Sequence, residues 1–126
     1  KQSFNEGCLS TVAAQVQQMY HLLPYDDPTM QEDVRFAFFK DNILPQLLRG
    51  SQKRTLIVTP SYFSYVRVRN ELMRQEVNAA YVCEYSRESE ISRGRSRFFH
   101  GQKDVLLYSG RAHFFRYCCL TFRKHE

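Results

Sequence analysis

Residues 55–83 read TLIVTPSYFSYVRVRNELMRQEVNAAYVC, and this stretch decides the fold. Its first five residues are a continuous β-branched and apolar run, which predicts a strand buried on both faces of a sheet. Pro60 and Ser61 end that strand, and Ser61 can cap a helix over residues 62–75. A second apolar run at residues 79–83 predicts the next strand. The apolar face of the helix is expected to include Phe63, Val66, Asn70 and Met73.

The sequence that follows repeats this alternation. Residues 84–90 are polar and predict a loop, residues 92–100 predict a helix that ends at Gly101, and residues 105–108 predict a third, buried strand. Alternating strands and helices predict an α/β fold with a parallel sheet and right-handed crossovers. The carboxyl ends of the strands then meet at one edge, where such sheets bind ligands. Three loops are predicted to gather at this carboxyl rim: residues 59–62, 84–93 and 109–113.

The N-terminal third of the chain has helical patterns instead of strands. Residues 5–23 carry apolar side chains at roughly helical spacing and predict a first helix. The proline-flanked residues 24–28 predict an exposed loop, and residues 31–42 predict a second helix with a wide apolar face. Pro45 is expected to interrupt that helix, because proline has no backbone N–H to donate. We therefore predict that residues 1–54 form a helical segment leading into the sheet.

Basic residues are concentrated in the second half of the chain. Residues 1–54 hold six basic and six acidic side chains, whereas residues 55–126 hold twelve and seven, which gives the net charge of +5. Ten of those twelve basic side chains are arginine, which binds phosphate in a bidentate manner and stacks on bases. This distribution favours a polyanionic partner such as RNA. The alternative is a solvated, arginine-coated surface.

The sequence lacks the motifs of nucleotide-driven and metal-dependent enzymes. It contains no GxxxxGK[ST] or GxGxxG phosphate loop, no acidic box for magnesium and no HExxH motif. Its four cysteines form no CxxC pair, and Cys83 lies in an apolar run, as expected of a buried thiol in a reducing compartment. No apolar run approaches the roughly 20 residues of a membrane span. We predict no cofactor, no metal, no membrane association and no small-molecule substrate.

Four segments are specific in combination: VRFAFFKDNILPQLLR (34–49), PSYFSYVRVRN (60–70), VCEYSRESEISRGRSRFFHG (82–101) and VLLYSGRAHFFRY (105–117). Together they resemble the digestive-organ expansion factor family. Members of that family are nucleolar, helicase-like components of the small-subunit processome and associate with the U-three small nucleolar RNA. The resemblance implies a non-catalytic scaffold in pre-rRNA processing and 18S rRNA maturation. The partners that it implies are pre-rRNA, the small nucleolar RNA particle and processome assembly proteins.

The family's core is similar to the second RecA-like domain of DEAD-box helicases. The resemblance therefore implies that residues 55–126 form a partial domain of this type, with a helical segment before it. Residues 92–99 would lie in the helix that touches RNA in helicases, and residues 109–111 would stand at motif V. Gly110 replaces the aspartate of that motif, which implies a helicase shape without a working ATPase. Since the sequence departs from the family pattern after Tyr117, we expect a C-terminally truncated fragment.

The basic pattern and the resemblance together predict an RNA-binding surface at the carboxyl rim. Basic side chains would neutralise phosphates there, and Tyr62 or Tyr85 would stack on bases. Helical spacing places Arg93 and Arg97 on one face and Arg95 on another, so one flat patch cannot use all three. The predicted RNA-binding residues are Ser61, Tyr62, Arg67, Arg93, Arg95, Arg97, Lys103, Ser109, Arg111, His113 and Arg116. A protein-interaction module and a residual RNA helicase or ATPase are the alternative functions.

Overall fold

Three parallel strands form the centre of the fold. The computed structural model describes residues 16–50 and 54–109. Strands β1 (Thr55–Thr59), β2 (Ala79–Val82) and β3 (Val105–Ser109) form one sheet in the order β1-β3-β2. The predicted α/β class with a parallel sheet is confirmed by this arrangement, whereas the RecA-like type stays a prediction.

The register of the sheet aligns the ends of the strands. Thr59 of β1 pairs with Ser109 of β3, and Val82 of β2 pairs with Tyr108 of β3. The carboxyl ends of all three strands therefore lie at one edge, as the sequence predicted. The strands begin at the opposite edge, which we call the amino edge.

Among the described residues, four α-helices lie around the sheet: α1 (Gln31–Phe38), α2 (Leu44–Leu48), α3 (Tyr62–Arg74) and α4 (Glu88–Phe99). A 3₁₀ turn at Pro28–Met30 precedes α1, and a π-helical turn at Phe39–Ile43 joins α1 to α2. The π turn lies directly before Pro45, where the missing proline N–H breaks the ordinary hydrogen-bond ladder. The predicted second helix and its interruption are thus both confirmed, and the chain stays helical through the interruption.

The predicted first helix is wrong in its described part. Residues 16–25 contain neither helix nor strand, and residues 1–15 lie outside the described residues. The apolar side chains of Val16, Met19 and Tyr20 are exposed in the structure. Apolar spacing alone does not stabilise a helix in water, because most helical stability comes from packing that face against another element.

The sheet is covered on both faces. The chain passes from β1 over β3 to β2 and then returns to β3, so right-handed connections place α3 and α4 on opposite faces. Two separate clusters of buried side chains agree with this arrangement. The cluster on the α3 face includes Phe39, Leu44, Tyr65, Val68, Leu72, Val105 and Leu107. The cluster on the α4 face consists of Ala80, Val82, Phe98, Leu106 and Tyr108.

Helix α3 turns a different face to the sheet than the sequence predicted. Its buried apolar residues are Tyr65, Val68 and Leu72. Phe63 is 62% exposed, and Asn70 and Met73 are exposed as well, so the predicted face is wrong at these three positions. Only Pro60 and Ser61 join β1 to α3.

Strand β1 is an edge strand in the described sheet, whereas every residue of β3 is buried. Thr55 donates its N–H to the carbonyl of Asp104 at 2.9 Å, so the backbone groups of Leu56 and Val58 point away from β3. Helix α4 packs on β2 and β3, and Val58 on that face is 40% exposed. Burial of the first strand on both faces is therefore wrong, because the described neighbours cover only part of it.

Helix α4 begins earlier than the sequence predicted and ends where it predicted. The helix starts at Glu88, because the side chain of Glu90 accepts the backbone N–H of Arg87 at 2.8 Å. At the other end, Gly101 has φ of +80°. The N–H of the next residue, Gln102, donates to the carbonyl of Arg97 at 2.9 Å. This left-handed glycine closure is the helix end that the sequence indicated.

Ser61 caps α3, as predicted. Its Oγ accepts the backbone N–H of Ser64 at 3.2 Å, which satisfies one of the unpaired donors of the first turn. We expect Ser61→Ala to lower the free energy of unfolding by about 1 kcal/mol. Ser92→Ala, at an exposed position of α4, is the matched control and should change stability by less than about 0.5 kcal/mol. Urea denaturation of both variants checks this, and equal shifts would contradict the capping role.

Candidate nucleic-acid interface

The carboxyl rim brings together the loops that follow β1 and β2. The ring centroids of Tyr62 and Tyr85 lie 4.9 Å apart with their planes at 87°, and Tyr62 also stacks on Tyr65 at 5.7 Å. Tyr85 is 72% exposed, so its ring faces solvent on most of its surface. Burial raises the pKa of the Tyr65 hydroxyl above its usual value, which keeps this third ring uncharged. The predicted meeting of these two loops is confirmed.

Polar side chains stabilise the ends of the strands at this rim. The Oγ of Ser86 accepts the backbone N–H of Cys83 at 3.0 Å, and the Oγ1 of Thr59 donates to the carbonyl of Tyr108 at 3.2 Å. Cys83 is buried, as predicted. Ser109 is buried at the end of β3, and the remainder of the third predicted loop lies outside the described residues.

The loop and first turn after β2 are acidic. Glu84, Glu88 and Glu90 fall within residues 84–90, with Arg87 as the only basic side chain of that stretch. Glu88 and Glu90 lie in the first turn of α4, where carboxylates interact favourably with the positive end of the helix dipole. This part of the rim is therefore not the cationic surface that the sequence predicted.

The outer face of α4 carries two arginines one turn apart. Arg93 and Arg97 are both exposed, whereas Arg95 is half-buried on another side of the helix. The predicted separation of these three residues onto different faces is confirmed. Ion pairs among the described residues join Arg35 to Glu32, Arg67 to Asp33 and Arg74 to Glu71. Within the described ranges, no carboxylate pairs with Arg93 or Arg97.

Two of the predicted rim residues lie at the amino edge instead. Helix α4 carries the chain back from the carboxyl rim across the sheet, and its 12 residues span about 18 Å. Arg97 lies in its last turn, and Lys103 lies in the turn that leads into β3. The backbone N–H of Lys103 donates to the carbonyl of Arg97 at 3.2 Å, which holds the two residues together. Their predicted placement at the carboxyl rim is therefore wrong.

Arg67 is engaged in the contact between α1 and α3. Its guanidinium lies 2.9 Å from a carboxylate oxygen of Asp33 and 4.2 Å from the ring centroid of Phe36. The Oγ of Ser64 also donates to the carboxylate of Glu32 across this contact. The remaining predicted residues, Arg111, His113 and Arg116, lie outside the described residues.

Sequence reasoning missed Arg54 as a candidate site residue. This exposed residue precedes β1 at the amino edge and has φ of 60°, a left-handed conformation that is uncommon outside glycine, asparagine and aspartate. Its guanidinium lies 5.7 Å from the ring centroid of Phe98. Its position directly before a predicted strand was the one sequence signal that could have indicated Arg54. Its contact with Phe98 could not be predicted, because the two residues are distant in sequence.

A groove of about 320 Å³ lies beside the open edge of β1. Its lining is mostly apolar and consists of Phe39, Ile43, Gln46, Leu47, Thr55, Leu56, Ile57 and Val58. Among the described residues, no group of three or more His, Cys, Asp or Glu side chains could hold a metal ion. None of the helices in residues 16–50 and 54–109 is long and apolar enough to cross a membrane.

Comparison with known proteins assigns the chain to a family. The family model described as "Utp25, C-terminal domain" matches residues 8–123. The chain belongs to the Utp25 C-terminal domain family. The digestive-organ expansion factor family, which the sequence motifs resemble, is the same family under another name.

Relatives of this Utp25 domain occur in animals, fungi and plants. The "U3 small nucleolar RNA-associated protein 25 homolog" of Xenopus tropicalis is 39% identical over 110 residues, which are 87% of this chain and 14% of that protein. "U3 small nucleolar RNA-associated protein 25" of Schizosaccharomyces pombe is 37% identical over 114 residues, 90% of the chain and 18% of the relative. "Protein NUCLEOLAR FACTOR 1" of Arabidopsis thaliana is 32% identical over 111 residues, which are 88% of this chain and 15% of that protein.

The chain thus spans less than a fifth of the length of these curated Utp25 relatives. No solved structure matches it.

Proposed function

We propose that this Utp25-family chain is a non-catalytic RNA- or ribonucleoprotein-binding module of the nucleolar small-subunit processome. Its role would lie in pre-rRNA processing and 18S rRNA maturation. The relatives in animals and fungi are named as proteins associated with U3 small nucleolar RNA, which supports a role in the same particle. Pre-rRNA, the small nucleolar RNA particle and processome assembly proteins are the proposed partners.

The observation that supports contact with RNA is the pair of exposed arginines on α4. Arg93 and Arg97 are four residues apart and therefore lie side by side on one face of the helix. Because no described carboxylate neutralises them, both guanidinium groups are available for bidentate contacts with phosphate oxygens. The outer face of α4 is consequently the proposed centre of the RNA contact.

The other predicted residues divide according to what they contact. Tyr62 offers an exposed ring for a base, and Arg95 and Lys103 flank the α4 face. Ser61 and Arg67 are left out of this set, because the first caps α3 and the second is paired with Asp33. Ser109 is left out as well, because its side chain is buried at the end of β3. Arg111, His113 and Arg116 stay in the proposal on the strength of the family resemblance.

The proposed architecture is a partial second RecA-like domain over residues 55–126, preceded by a segment over residues 1–54 whose described part is helical from Pro28 to Leu48. Its support is a parallel sheet with a helix on each face, together with the helical segment of α1 and α2, in which α1 packs beside α3. Gly110 at the motif V position supports a non-catalytic role.

Removing the two arginines of α4 should weaken RNA binding. In the full-length protein that contains this chain, we expect Arg93→Gln/Arg97→Gln to lower the affinity for a structured pre-rRNA fragment. The slope of log affinity against log salt should flatten by roughly 1.4 to 1.8, since each lost phosphate contact removes about 0.7 to 0.9. Fluorescence anisotropy titrations over a range of salt concentrations measure both quantities.

The matched control is Lys40→Gln/Arg87→Gln. It removes the same charge from two exposed cations, one on the π turn and one directly before α4 beside three glutamates, and its salt slope should stay close to that of the wild type. RNA binding by the wild type that shows no salt dependence, or no binding at all, would overturn the proposed function.

A further inference from the structure

Cations surround the strand beginnings at the amino edge. Arg54 precedes β1, and Lys103 leads into β3. Arg97 lies in the last turn of α4, and its carbonyl accepts the backbone N–H of Lys103. Arg49 follows α2 next to Gly50, which lines one small groove with Asn78 and Asp104 of this edge. The four cations come from two separate parts of the chain, residues 49–54 and 97–103, so only the fold brings the two pairs to one edge.

The two edges of the sheet differ in charge. At the amino edge the carboxylates of Glu76 and Asp104 oppose the four cations, which leaves two positive charges. At the carboxyl rim, residues 84–90 hold three carboxylates and one arginine, which leaves two negative charges. A polyanion approaching the sheet is therefore attracted to the amino edge and repelled by this part of the rim.

Arg54 and Lys103 are available for a ligand. Neither forms an ion pair with a carboxylate of the described residues. The Arg54 guanidinium lies near the Phe98 ring, and this contact limits the orientations that its side chain adopts while leaving the residue exposed. Its left-handed backbone also costs of order 1 kcal/mol or more, and such conformations persist where the surrounding structure enforces them.

We propose that the amino edge binds the phosphodiester backbone of an RNA strand through Arg54 and Lys103. This inference rests on the proposed RNA-binding function and extends its contact surface from α4. Arg97 lies in the last turn of α4 and is held to Lys103 by a backbone hydrogen bond, so it connects the α4 face to the amino edge. A strand that contacts Arg93 and Arg97 then continues around the end of the helix to Lys103 and Arg54.

The contact is one of charge and not of base stacking. The exposed tyrosine rings of the domain's rim, Tyr62 and Tyr85, lie at the carboxyl end of the sheet, whereas the four cations lie at the amino edge. Binding at this edge should therefore depend strongly on salt and weakly on base sequence.

The experiment compares two double variants of equal charge in the full-length protein. Arg54→Gln/Lys103→Gln removes two of the four amino-edge cations, and Lys40→Gln/Arg87→Gln removes two exposed cations elsewhere. Both are titrated with a structured pre-rRNA fragment at several salt concentrations, and their thermal unfolding midpoints are compared with that of the wild type. We expect the amino-edge variant alone to bind more weakly and to lose roughly 1.4 to 1.8 from the salt slope.

The outcomes separate this inference from the function on which it rests. If Arg93→Gln/Arg97→Gln weakens binding and Arg54→Gln/Lys103→Gln does not, the amino-edge site is wrong and the proposed function stands. If both charge-matched variants weaken binding equally, affinity follows net charge and the amino-edge site is again wrong. Wild-type protein that binds a glutamate-rich peptide but no RNA would overturn both proposals.

Discussion

Replacing Phe98 with alanine is expected to lower the free energy of unfolding by about 3–5 kcal/mol, which is a large share of the stability of a domain of this size. Phe98 is fully buried on the α4 face of the sheet. Its ring packs in one cluster with Val82, Leu106 and Tyr108, so truncation removes the contact and leaves a cavity. Urea denaturation followed by far-UV circular dichroism measures the loss.

Phe63→Ala is the matched control for this substitution. The same ring is removed from another helix, α3, at a position that is mostly exposed. We expect a change within about 0.5 kcal/mol, which is ordinary for a surface site. Equal losses for Phe98→Ala and Phe63→Ala would show that α3 or α4 presents a different face to the sheet.

Gly94→Val should be the second most damaging substitution. A Cβ at Gly94 would lie 3.1 Å from Cγ2 of Val82 and 3.7 Å from Cβ of Ala80, so even a single added carbon makes a tight contact with the Val82 side chain. Valine adds two further carbons to that contact, and overpacking of this kind costs about 1–3 kcal/mol. The loss is expected although valine has a better helix propensity than glycine.

Ser92→Val provides the comparison on the exposed side of the same helix. It carries the same β-branched side chain and should lower stability by less than about 0.5 kcal/mol. Thermal or urea midpoints of the two variants are compared directly. If Gly94→Val unfolds at the same midpoint as Ser92→Val, α4 does not rest on β2 at the distance described.

Features governed by neighbouring residues were predictable from the sequence. Ser61 caps α3, Gly101 ends α4, and Arg93 and Arg97 share a helix face. Each depends on interactions within one helical turn, so the residue types at short spacing are sufficient to indicate it. The continuous apolar run of β3 likewise predicted a buried strand.

Features that depend on distant partners were not predictable in the same way. The face that α3 buries is determined by its packing on the sheet, and the exposure of Val58 follows from where α4 lies on the sheet. Before Pro24 the ring of His21 contacts that of Phe38 at 4.9 Å, whereas the side chains of Val16, Met19 and Tyr20 stay exposed.

The candidate site shows the same division. The arginine pattern was visible in the sequence, but its position depended on the direction and length of α4. Since α4 begins at Glu88 and runs back across the sheet, Arg97 and Lys103 lie at the amino edge. Arg54 joins them there only through the pairing of β1 with β3.

Ultraviolet crosslinking of RNA to the full-length protein, followed by mass spectrometry of the crosslinked peptides, tests the central claim most directly. We expect adducts within residues 92–104, on the outer face of α4 and at the amino edge, with a further adduct near Arg54. Adducts confined to Tyr62 and Tyr85 at the carboxyl rim, with none in residues 92–104, would contradict the account.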